Sequence, residues 1–375
     1  MGPTWYGFKK CPHGNLVWAG GGWLRPAACR RFYKKIMGVN LLRKDKEEYP
    51  IDFVITWVDG NEPEWQKEYF KYKGLEGDQR SYRFRDMNVL QYWFRGVEKF
   101  APWVNKVFFV TCGQRPLWLN TDHPKLVCVN HKDYIPEQFL PTFSSQAIEV
   151  NFHRISGLSE HFVYFNDDMF LTAPTVPRDF FRNGLPCDSA VINYTAPRRE
   201  PLNLVPVVNT AAINRNFVKK EVMRAQAAKL FTGKYHKYLL KNIQFIMGRW
   251  FPGFKYFHLP SSFLKSVFAE VWEKEPELLT RTSGHKFRVL TDCNQWLFQN
   301  WQICSGKFMP RDTEAGYYGA METVEEIKRT AAAIKSGKYK MVCANDAMEE
   351  YFDVVQKELR EAFESILPEK SSFEL

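Results

Sequence analysis

A run of four apolar residues at positions 162–165 ends in three polar residues, Asn166, Asp167 and Asp168. Short apolar runs bounded by turn residues are typical of strands that are buried on both faces of a sheet. Open α/β sheets bind ligands at the carboxyl ends of their strands, so a polar site is predicted here. Two adjacent aspartates are hard oxygen ligands that suit Mg²⁺ or Mn²⁺ on a diphosphate. A simple strand-end turn explains the same residues, because Asn and Asp favour turns.

Strand-like and helix-like segments alternate in the first half of the chain, which predicts an α/β fold with a mostly parallel, Rossmann-like sheet. The predicted strands are 51–58, 107–111, 126–129 and 162–165, and the helices between them are 86–99 and 145–155. After Pro177 the pattern becomes more helical. Further helices are predicted within 217–248 and at 261–274, 288–304 and 321–335, and a short strand at 341–344. We expect this largely helical C-terminal half to close over the sheet.

The 375 residues suffice for one large domain or two ordinary ones. We predict a basic N-terminal extension at 1–48 and a single catalytic domain at 49–350. Within that domain the α/β half covers about 49–195 and the helical half about 196–350. Residues 351–375 are expected to form a C-terminal helix and tail.

The net charge of +10, from 52 Lys and Arg against 42 Asp and Glu, favours anionic partners. Phosphate esters, nucleotides and anionic lipid surfaces all satisfy that preference. A non-enzymatic basic module that binds polyanionic glycan or nucleic acid also satisfies it. The basic residues do not alternate with aromatics in an RNA-binding signature, so a nucleic-acid partner is not expected.

The eight cysteines form no C-x-x-C pair and no zinc-type cluster with histidine, which indicates a reducing cytosol. No run of 18 apolar residues and no clean signal-peptide core occurs, so a cytoplasmic protein is predicted. The basic segment 29–36 fits either a peripheral contact with the anionic inner face of the membrane or an extension with solvated charges. Oligomeric state is not readable from these features.

The segment 51–60, IDFVITWVDG, ends in Asp59-Gly60. A strand that ends in Asp-Gly forms a tight turn whose backbone amides can meet a nucleotide, and Trp57 can stack on a base. An ordinary turn explains Asp-Gly equally well. We predict that Thr56, Trp57, Asp59 and Gly60 line a nucleotide-sugar pocket.

Arg83, Arg85 and Asp86 lie at the start of the predicted helix 86–99. Asp86 is a candidate N-cap, and a helix N-terminus flanked by arginines is an anion site. A capped helix with solvated arginines is the alternative. Arg85, Asp86 and Asn166 complete the predicted nucleotide-sugar contacts.

Glu149 and His285 are the candidates for acid–base or positioning roles. Ser144 or Ser145 is predicted to cap a helix that carries Glu149 and His153 on one face. There the two side chains would position a sugar hydroxyl or a metal-bound water, or form an intrahelical charge pair. In the segment 282–288, TSGHKFR, His285 is a candidate general acid or base and Arg288 a clamp on a phosphoryl oxygen. A purely structural histidine is the alternative.

These segments resemble the Stealth family of sugar-phosphate transferases, which includes bacterial capsular polysaccharide phosphotransferases. It also includes the catalytic subunit of the animal enzyme that tags lysosomal glycoproteins with N-acetylglucosamine-1-phosphate. The similar stretches are IDFVITWVDG, the ordered motifs from Arg83 to Phe170 that end in YFNDDMF, the region from His258 to Arg288, and VCANDAM. The last departs from the family pattern, which commonly has Leu where this chain has Ala344.

The resemblance implies transfer of a sugar 1-phosphate from a nucleotide-diphosphate sugar, such as a UDP-hexose or UDP-N-acetylhexosamine, to a hydroxyl of an acceptor glycan. It also implies a role in bacterial surface polysaccharide synthesis. The matching active-centre residues are Glu149, Asp168 and His285, with Asp52 and Arg288 as supporting positions. Asp167 and Asp168 are the expected ligands of Mg²⁺ or Mn²⁺. A conventional metal-dependent glycosyltransferase that releases a nucleoside diphosphate is the alternative function.

Overall fold

The computed structural model describes residues 49–79, 84–195, 204–345 and 350–375. The described residues belong to one compact unit that spans Glu47–Leu375. The predicted N-terminal extension, including segment 29–36, and Arg83 lie outside the described residues. The division of the chain into an extension, a catalytic domain and a C-terminal tail stays a prediction.

Eleven strands in the described residues form three sheets. In chain order they are β1 Ile51–Thr56, β2 Val107–Thr111, β3 Leu126–Asn130, β4 His161–Phe165, β5 Met169–Leu171, β6 Phe181–Arg182, β7 Leu185–Asp188, β8 Ser261–Leu264, β9 Met309–Pro310, β10 Gly316–Gly319 and β11 Met341–Ala344. The central sheet has the order β3-β2-β1-β4-β8, and two three-stranded sheets have the orders β10-β11-β5 and β6-β7-β9.

The central sheet is parallel over its first four strands, which confirms the predicted mostly parallel α/β fold. Strand β1 pairs in parallel with both β2 and β4, and β2 pairs in parallel with β3. β1 and β4 are almost completely buried, as expected for strands with helices on both faces. The carboxyl ends of β1 and β4 therefore meet at one edge of the sheet.

The α-helices surround these sheets and occur in both halves of the chain. They span Pro63–Tyr72, Leu90–Phe100, Ser145–Glu149, Pro177–Phe180, Val205–Asn216, Lys219–Ala225, Ala227–Leu230, Leu239–Gln244, Lys265–Lys274, Pro276–Gly284, Gln295–Cys304, Val324–Lys335 and Phe352–Ile366. The helix Leu90–Phe100 buries one apolar face against the core, with Trp93, Phe94 and Val97 nearly inaccessible.

Four predicted helices are shorter than expected. Those expected at 288–304 and 321–335 begin at Gln295 and Val324, after the N-cap residues Asn294 and Thr323. The helix expected at 86–99 begins at Leu90, because Asn88 has a φ of 55° that a right-handed helix cannot include. Asp86 is therefore not its N-cap. The helix expected at 145–155 ends at Glu149, and a separate 3₁₀ turn follows at Phe152–Arg154.

The segment predicted as one helix at 261–274 is a strand followed by a helix. All four residues of β8 are buried, and β8 pairs antiparallel with β4 at the edge of the central sheet. Residues 265–274 then form the expected helix. A short apolar run at a helix start has no period that separates it from the helix, which explains the error. The C-terminal half thus completes the central sheet as well as covering it.

No helix among the described residues is long and apolar enough to cross a bilayer. Among the cysteines in the described residues, Cys112, Cys128, Cys293, Cys304 and Cys343 form no disulfide bond.

Candidate active site

The carboxyl ends of β1 and β4 deliver the first site residues. Ile55 is in register with Phe165, so Thr56 and Asn166 leave the sheet side by side. The Thr56 hydroxyl lies 3.1 Å from the hydroxyl of Tyr164, which ties the two strand ends together. The acidic pair that follows Asn166 is thereby held at the predicted edge of the sheet.

Asp168 contacts three other side chains of the site. Its Oδ2 accepts hydrogen bonds from Asn345 Nδ2 at 2.9 Å and from Cys343 Sγ at 3.3 Å, and it lies 3.3 Å from His258 Nε2. Its Oδ1 is buried and has no hydrogen-bond partner. One carboxylate oxygen is therefore fixed by three protein groups, and the other is left available to a ligand.

His258 and Asp168 stabilise each other's charged forms. Burial opposes ionisation of Asp168, but the His258 charge and the hydrogen bonds from His258, Asn345 and Cys343 outweigh it and lower the pKa of Asp168. Burial likewise opposes protonation of His258, but Asp168 and the nearby Glu149 outweigh it and raise the pKa of His258. The backbone of His258 has a φ of 41°, a costly conformation for a non-glycine residue that the surrounding contacts must hold.

Of the two aspartates, Asp167 has the less stabilised ionised form. Desolvation in the cleft, followed by the negative charges of Asp168 and Asp86, raises the pKa of Asp167 to about 7, with Arg288 opposing the rise. The side chain is nevertheless accessible from the solvent in the cleft. A cation placed beside this carboxylate would relieve the repulsion between Asp167 and Asp168.

Glu149 lies beneath the cleft and is 4% exposed. Its Oε1 accepts a hydrogen bond from the Tyr164 hydroxyl at 3.4 Å, and its Oε2 accepts one from the Gln295 amide at 3.2 Å. Burial raises the pKa of Glu149, and the opposing contributions include the Arg288 charge. The structure therefore brings Glu149 close to Arg288 and His258, but in a supporting position.

Arg288 projects into the cleft from the loop after the helix Pro276–Gly284. Its backbone carbonyl accepts a hydrogen bond from the Asp78 amide at 2.9 Å, and Phe287 packs into a small aromatic cluster with Tyr69 and Phe143. The loop is thus fixed on both sides. Within the described residues the Arg288 guanidinium has no hydrogen bond or ion pair, which leaves its donors free for an anion.

Two cavities meet at these residues. One has a volume of about 120 Å³ and is lined by aromatic and apolar side chains that include Trp65, Phe84 and Phe143. The other, of about 280 Å³, is more polar and contains Asp168, His258 and Asn345. The residues shared by both cavities are Trp57, Asn166, Asp167 and Arg288. The acidic pair and the free arginine therefore lie where an aromatic compartment joins a polar one.

His285 is not among the residues that line either cavity. Its Nδ1 lies 2.6 Å from Asp292 Oδ1, while Asp292 Oδ2 accepts a hydrogen bond from the Val289 amide at 2.9 Å. This pair braces the loop on which Arg288 lies. The structure thus gives His285 a contact that positions Arg288, whereas the imidazole beside Asp168 belongs to His258.

Asp52 lies at the amino end of β1. At about 3.3 Å per residue it is about 13 Å from Thr56, and it therefore lies away from the site. It is completely buried and accepts hydrogen bonds from Asn105 Nδ2 and from the backbone amides of Lys106 and Ser159. Its carboxylate ties together the loops that precede β2 and β4, at the amino ends of the strands. The expected supporting role in the cleft does not fit this position.

The Asp59-Gly60 turn is closed by internal hydrogen bonds. The Asp59 amide donates to Gln114 Oε1 at 2.9 Å, and the Gly60 amide donates to the Phe84 carbonyl at 2.8 Å. The amides predicted to meet a nucleotide are therefore already used. Glycine is needed at position 60 because a Cβ there would come within 2.5 Å of the Phe84 carbonyl oxygen.

The other predicted nucleotide contacts do face the cleft. Thr56 lines the aromatic cavity, and Arg85 and Asp86 line the polar one. Trp57 borders both but is 8% exposed and stacks on Phe109, with ring centroids 5.8 Å apart. Its ring is largely committed to the core rather than free for a base.

His258, Cys343 and Asn345 were not among the site residues predicted from the sequence. His258 begins one of the stretches that resemble the family, but a lone histidine before Leu-Pro matches no binding or catalytic motif. Cys343 lies in the predicted strand 341–344 and Asn345 directly follows it, within the VCANDAM stretch. Their role follows from the pairing of β11 with β5, which places Ala344 N 2.8 Å from the Asp168 carbonyl.

The donor set fits a hard divalent cation. Asp168 Oδ1 and Asn166 Oδ1 are buried oxygens without hydrogen-bond donors, and the Asp167 carboxylate is adjacent in the chain. Carboxylate and amide oxygens are the ligands that Mg²⁺ and Mn²⁺ prefer. Cys343 Sγ, His258 Nε2 and an Asp168 oxygen also lie within 4.8 Å of one another. However, burial and then Asp168 raise the pKa of Cys343 well above its usual range, so the thiol acts as a donor to Asp168.

Comparison with known proteins places the chain in a family. Residues 49–76 match the model of Stealth protein conserved region 1, and residues 83–187 match that of Stealth protein conserved region 2. Solved structures include one similarity to the bifunctional glycosyltransferase WbbM, at 11% identity over 85% of this chain and 52% of that chain. Its TM-score of 0.36 is too low to support an argument.

Three curated bacterial proteins are similar over nearly their whole length. The capsular polysaccharide phosphotransferase WcwK of Streptococcus pneumoniae is 42% identical over 334 residues, which cover 86% of this chain and 98% of the relative. The receptor polysaccharide phosphotransferase WefC of Streptococcus oralis is 40% identical, covering 87% and 99%. The exopolysaccharide phosphotransferase cps2G of Lactiplantibacillus plantarum is 41% identical, covering 87% and 96%. With this identity and coverage, the chain belongs to the Stealth protein family.

Proposed function

We propose that this Stealth-family phosphotransferase transfers a sugar 1-phosphate from a nucleoside diphosphate sugar to a hydroxyl of an acceptor glycan during synthesis of a surface polysaccharide. The acceptor hydroxyl attacks the sugar-proximal phosphorus, a phosphodiester forms, and a nucleoside monophosphate leaves. The main observation that supports this proposal is the position of Asp167 and Arg288 at the junction of the aromatic and polar cavities. Within the described residues the Arg288 guanidinium has no hydrogen-bond or ion-pair partner. The names of the relatives, which are phosphotransferases of capsular and exopolysaccharides, support the reaction class.

The aromatic cavity suits the nucleoside end of the donor. Trp65, Phe84 and Phe143 offer apolar ring surfaces, and Thr56 and Thr142 add hydroxyls that can select a base or ribose. A nucleoside held there points its diphosphate toward Arg288. The free guanidinium would bind non-bridging phosphate oxygens, which fixes the phosphorus for in-line attack.

The polar cavity suits the acceptor. It continues into a surface groove of about 750 Å³, with which it shares Asp86, Met87 and Leu90. An extended glycan can lie in this groove while one hydroxyl reaches the phosphorus at the junction. Entry of donor and acceptor from two sides fits a displacement in which attacking and leaving groups lie in line.

His258 is the proposed general base. Its Nε2 faces Asp168, so Nδ1 is the nitrogen that can take the proton of the acceptor hydroxyl. The Asp168 carboxylate would stabilise the imidazolium that forms, as an aspartate does in an Asp–His pair. Glu149 adds negative charge beneath His258, and Arg288 balances charge on the phosphoryl group.

Asp167 and Asp168, with the amide oxygen of Asn166, would hold Mg²⁺ or Mn²⁺. Such an ion supplies positive charge that offsets charge developing on the departing nucleoside phosphate. The chain's own residues do the positioning, since phosphoryl transfer requires little covalent assistance.

Identification of the released nucleotide tests the reaction. The enzyme is incubated with UDP-, GDP- and CDP-sugars, an acceptor oligosaccharide and Mg²⁺, and the nucleotide is scored by mass. A monophosphate whose release needs both the acceptor and an intact Asp168 supports the proposal. Release of a nucleoside diphosphate would instead identify a conventional glycosyltransferase.

A further inference from the structure

A long basic stretch of the C-terminal half carries no acidic residue. Between Glu221 and Glu270 the sequence has no Asp or Glu, but it contains eight cationic side chains: Arg224, Lys229, Lys234, Lys237, Lys241, Arg249, Lys255 and Lys265. Intermixed charges are the rule on a soluble surface. A stretch whose charged side chains are all positive indicates a negatively charged partner.

The same stretch exposes five large apolar side chains within 11 residues. Their exposed fractions are 70% for Leu240, 49% for Ile243, 48% for Ile246, 83% for Met247 and 53% for Trp250. We call these five residues the apolar patch. Leu240 and Ile243 lie three residues apart on the helix Leu239–Gln244 and so share one face. Scattered exposed apolar residues are ordinary, but a contiguous group marks an interaction surface.

The exposure is built into the fold. Asn242, completely buried on the inner side of this helix, donates to the carbonyls of Ala190 and Leu230 and accepts from the Ile192 amide. These bonds fix which face of the helix points outward. Lys219 Nζ donates to the Met247 carbonyl at 2.9 Å, which ties down the loop that carries Met247.

Two cations lie over aromatic rings, one within the apolar patch and one beside it in the sequence. The Arg249 guanidinium lies 4.8 Å from the centroid of the Trp250 ring, and Lys237 lies 5.4 Å from that of Tyr238. Both Lys237 and Arg249 are exposed. Apolar side chains beside exposed cations, with a tryptophan among them, match the chemistry of an anionic lipid surface. A second copy of this chain would place Lys237 and Arg249 against the same cations, an arrangement that like charges oppose.

We propose that the apolar patch, with Lys237 and Arg249, is a peripheral docking surface for anionic lipid membranes. The patch residues would enter the interface between headgroups and acyl chains, and the cations would contact lipid phosphates. This surface is separate from the N-terminal segment 29–36, and its lipid contact does not depend on the proposed reaction.

Vesicle co-sedimentation with the full-length chain tests the proposal. We expect binding to phosphatidylcholine vesicles that contain phosphatidylglycerol, weaker binding to phosphatidylcholine alone, and release at high salt as charges are screened. Met247→Glu and Arg249→Glu should each lower the partition coefficient about tenfold, since each removes a favourable contact and adds an unfavourable charge. Leu117→Glu, at a 96% exposed leucine elsewhere, is the matched control and should bind as the parent does.

Melting temperatures of all variants should match that of the parent, because the substituted side chains are exposed. Absence of binding to the anionic vesicles would overturn the proposal. So would Met247→Glu binding like the parent, since the contact would then lie elsewhere in the chain. A patch variant that changes the oligomer mass without changing vesicle binding would assign the patch to self-association instead.

Discussion

His258 Nε2 lies 3.3 Å from Asp168 Oδ2, although 90 residues separate the two in the chain. The contact joins the tip of a central strand to a loop of the C-terminal half. It raises the pKa of His258 and lowers that of Asp168, so each residue's ionisation depends on the other. The first two predictions follow from this pair.

Asp168→Asn should lower the pKa of His258, because it removes the carboxylate that favours the imidazolium. It should also lower kcat by about 100-fold or more, as expected for losing roughly 3 kcal/mol of preorganised electrostatic stabilisation. Titration of the imidazole by NMR and steady-state kinetics measure the two effects. The exposed Asp122, changed to Asn, is the control and should alter neither. An unchanged His258 titration in Asp168→Asn would contradict the pairing.

His258→Ala and His285→Ala separate the two histidines. His258→Ala should lower kcat by about 10² to 10⁴, the range for loss of a general base. His285→Ala should retain more activity, because His285 contacts Asp292 rather than the cleft. Its main effects should be a lower melting temperature and a higher KM for the donor through Arg288. Equal losses of kcat in the two variants would show that His285 takes part in the reaction.

Arg288→Ala should weaken donor binding and slow transfer, since the guanidinium has no other partner among the described residues. We expect kcat/KM for the donor to fall by about 100-fold, in line with roughly 1.5–3 kcal/mol for a hydrogen bond to a charged group. Arg281→Ala is the matched control, because within the described residues the exposed Arg281 side chain donates its one hydrogen bond to the Thr291 carbonyl. Calorimetric titration with the nucleoside monophosphate product gives an independent reading. If both variants bind the nucleoside monophosphate with comparable affinity, Arg288 does not contact the phosphate.

His153→Gln should reduce the acid sensitivity of the fold. Burial, together with the charges of Arg154 and Lys265, lowers the pKa of His153 to about 4. Because the unfolded chain binds the proton near pH 6.5, stability is present above that pH and is lost as the pH falls toward 4. Between pH 7 and pH 5 the loss from His153 is about 2 kcal/mol.

Urea unfolding at the two pH values measures this loss. The free energy of unfolding of His153→Gln should fall by about 2 kcal/mol less than that of the parent over the same interval. Gln244→Ala, at an exposed residue that does not titrate, provides the comparison and should show the pH dependence of the parent. Equal pH dependence in His153→Gln and the parent would show that this imidazole is protonated in the folded state.

The central strands could be predicted from sequence because their apolar runs are long and end in turn residues. β2 occupies the predicted residues, and β1 and β4 differ only at their ends. β8 was missed because its four residues run directly into a helix. Whether such a run pairs with β4 depends on the edge that β4 offers, which is a tertiary property.

The acidic residues of the site could be predicted from the same pattern, because Asn166, Asp167 and Asp168 directly follow an apolar strand. Their partners come from loops whose positions no local pattern encodes. His258 was not separated from His285 because both are single histidines near small or turn-forming residues. Only the fold distinguishes the imidazole that meets Asp168 from the one that meets Asp292.

The position of β8 has a consequence for synthesis of the chain. Its partner β4 leaves the ribosome about 100 residues earlier, and until β8 arrives the outer edge of β4 has open backbone donors and acceptors. A nascent chain stalled between these two strands would expose an adhesive strand edge next to an unfinished catalytic cleft. Premature termination in that interval should therefore yield insoluble material rather than a free-standing α/β half.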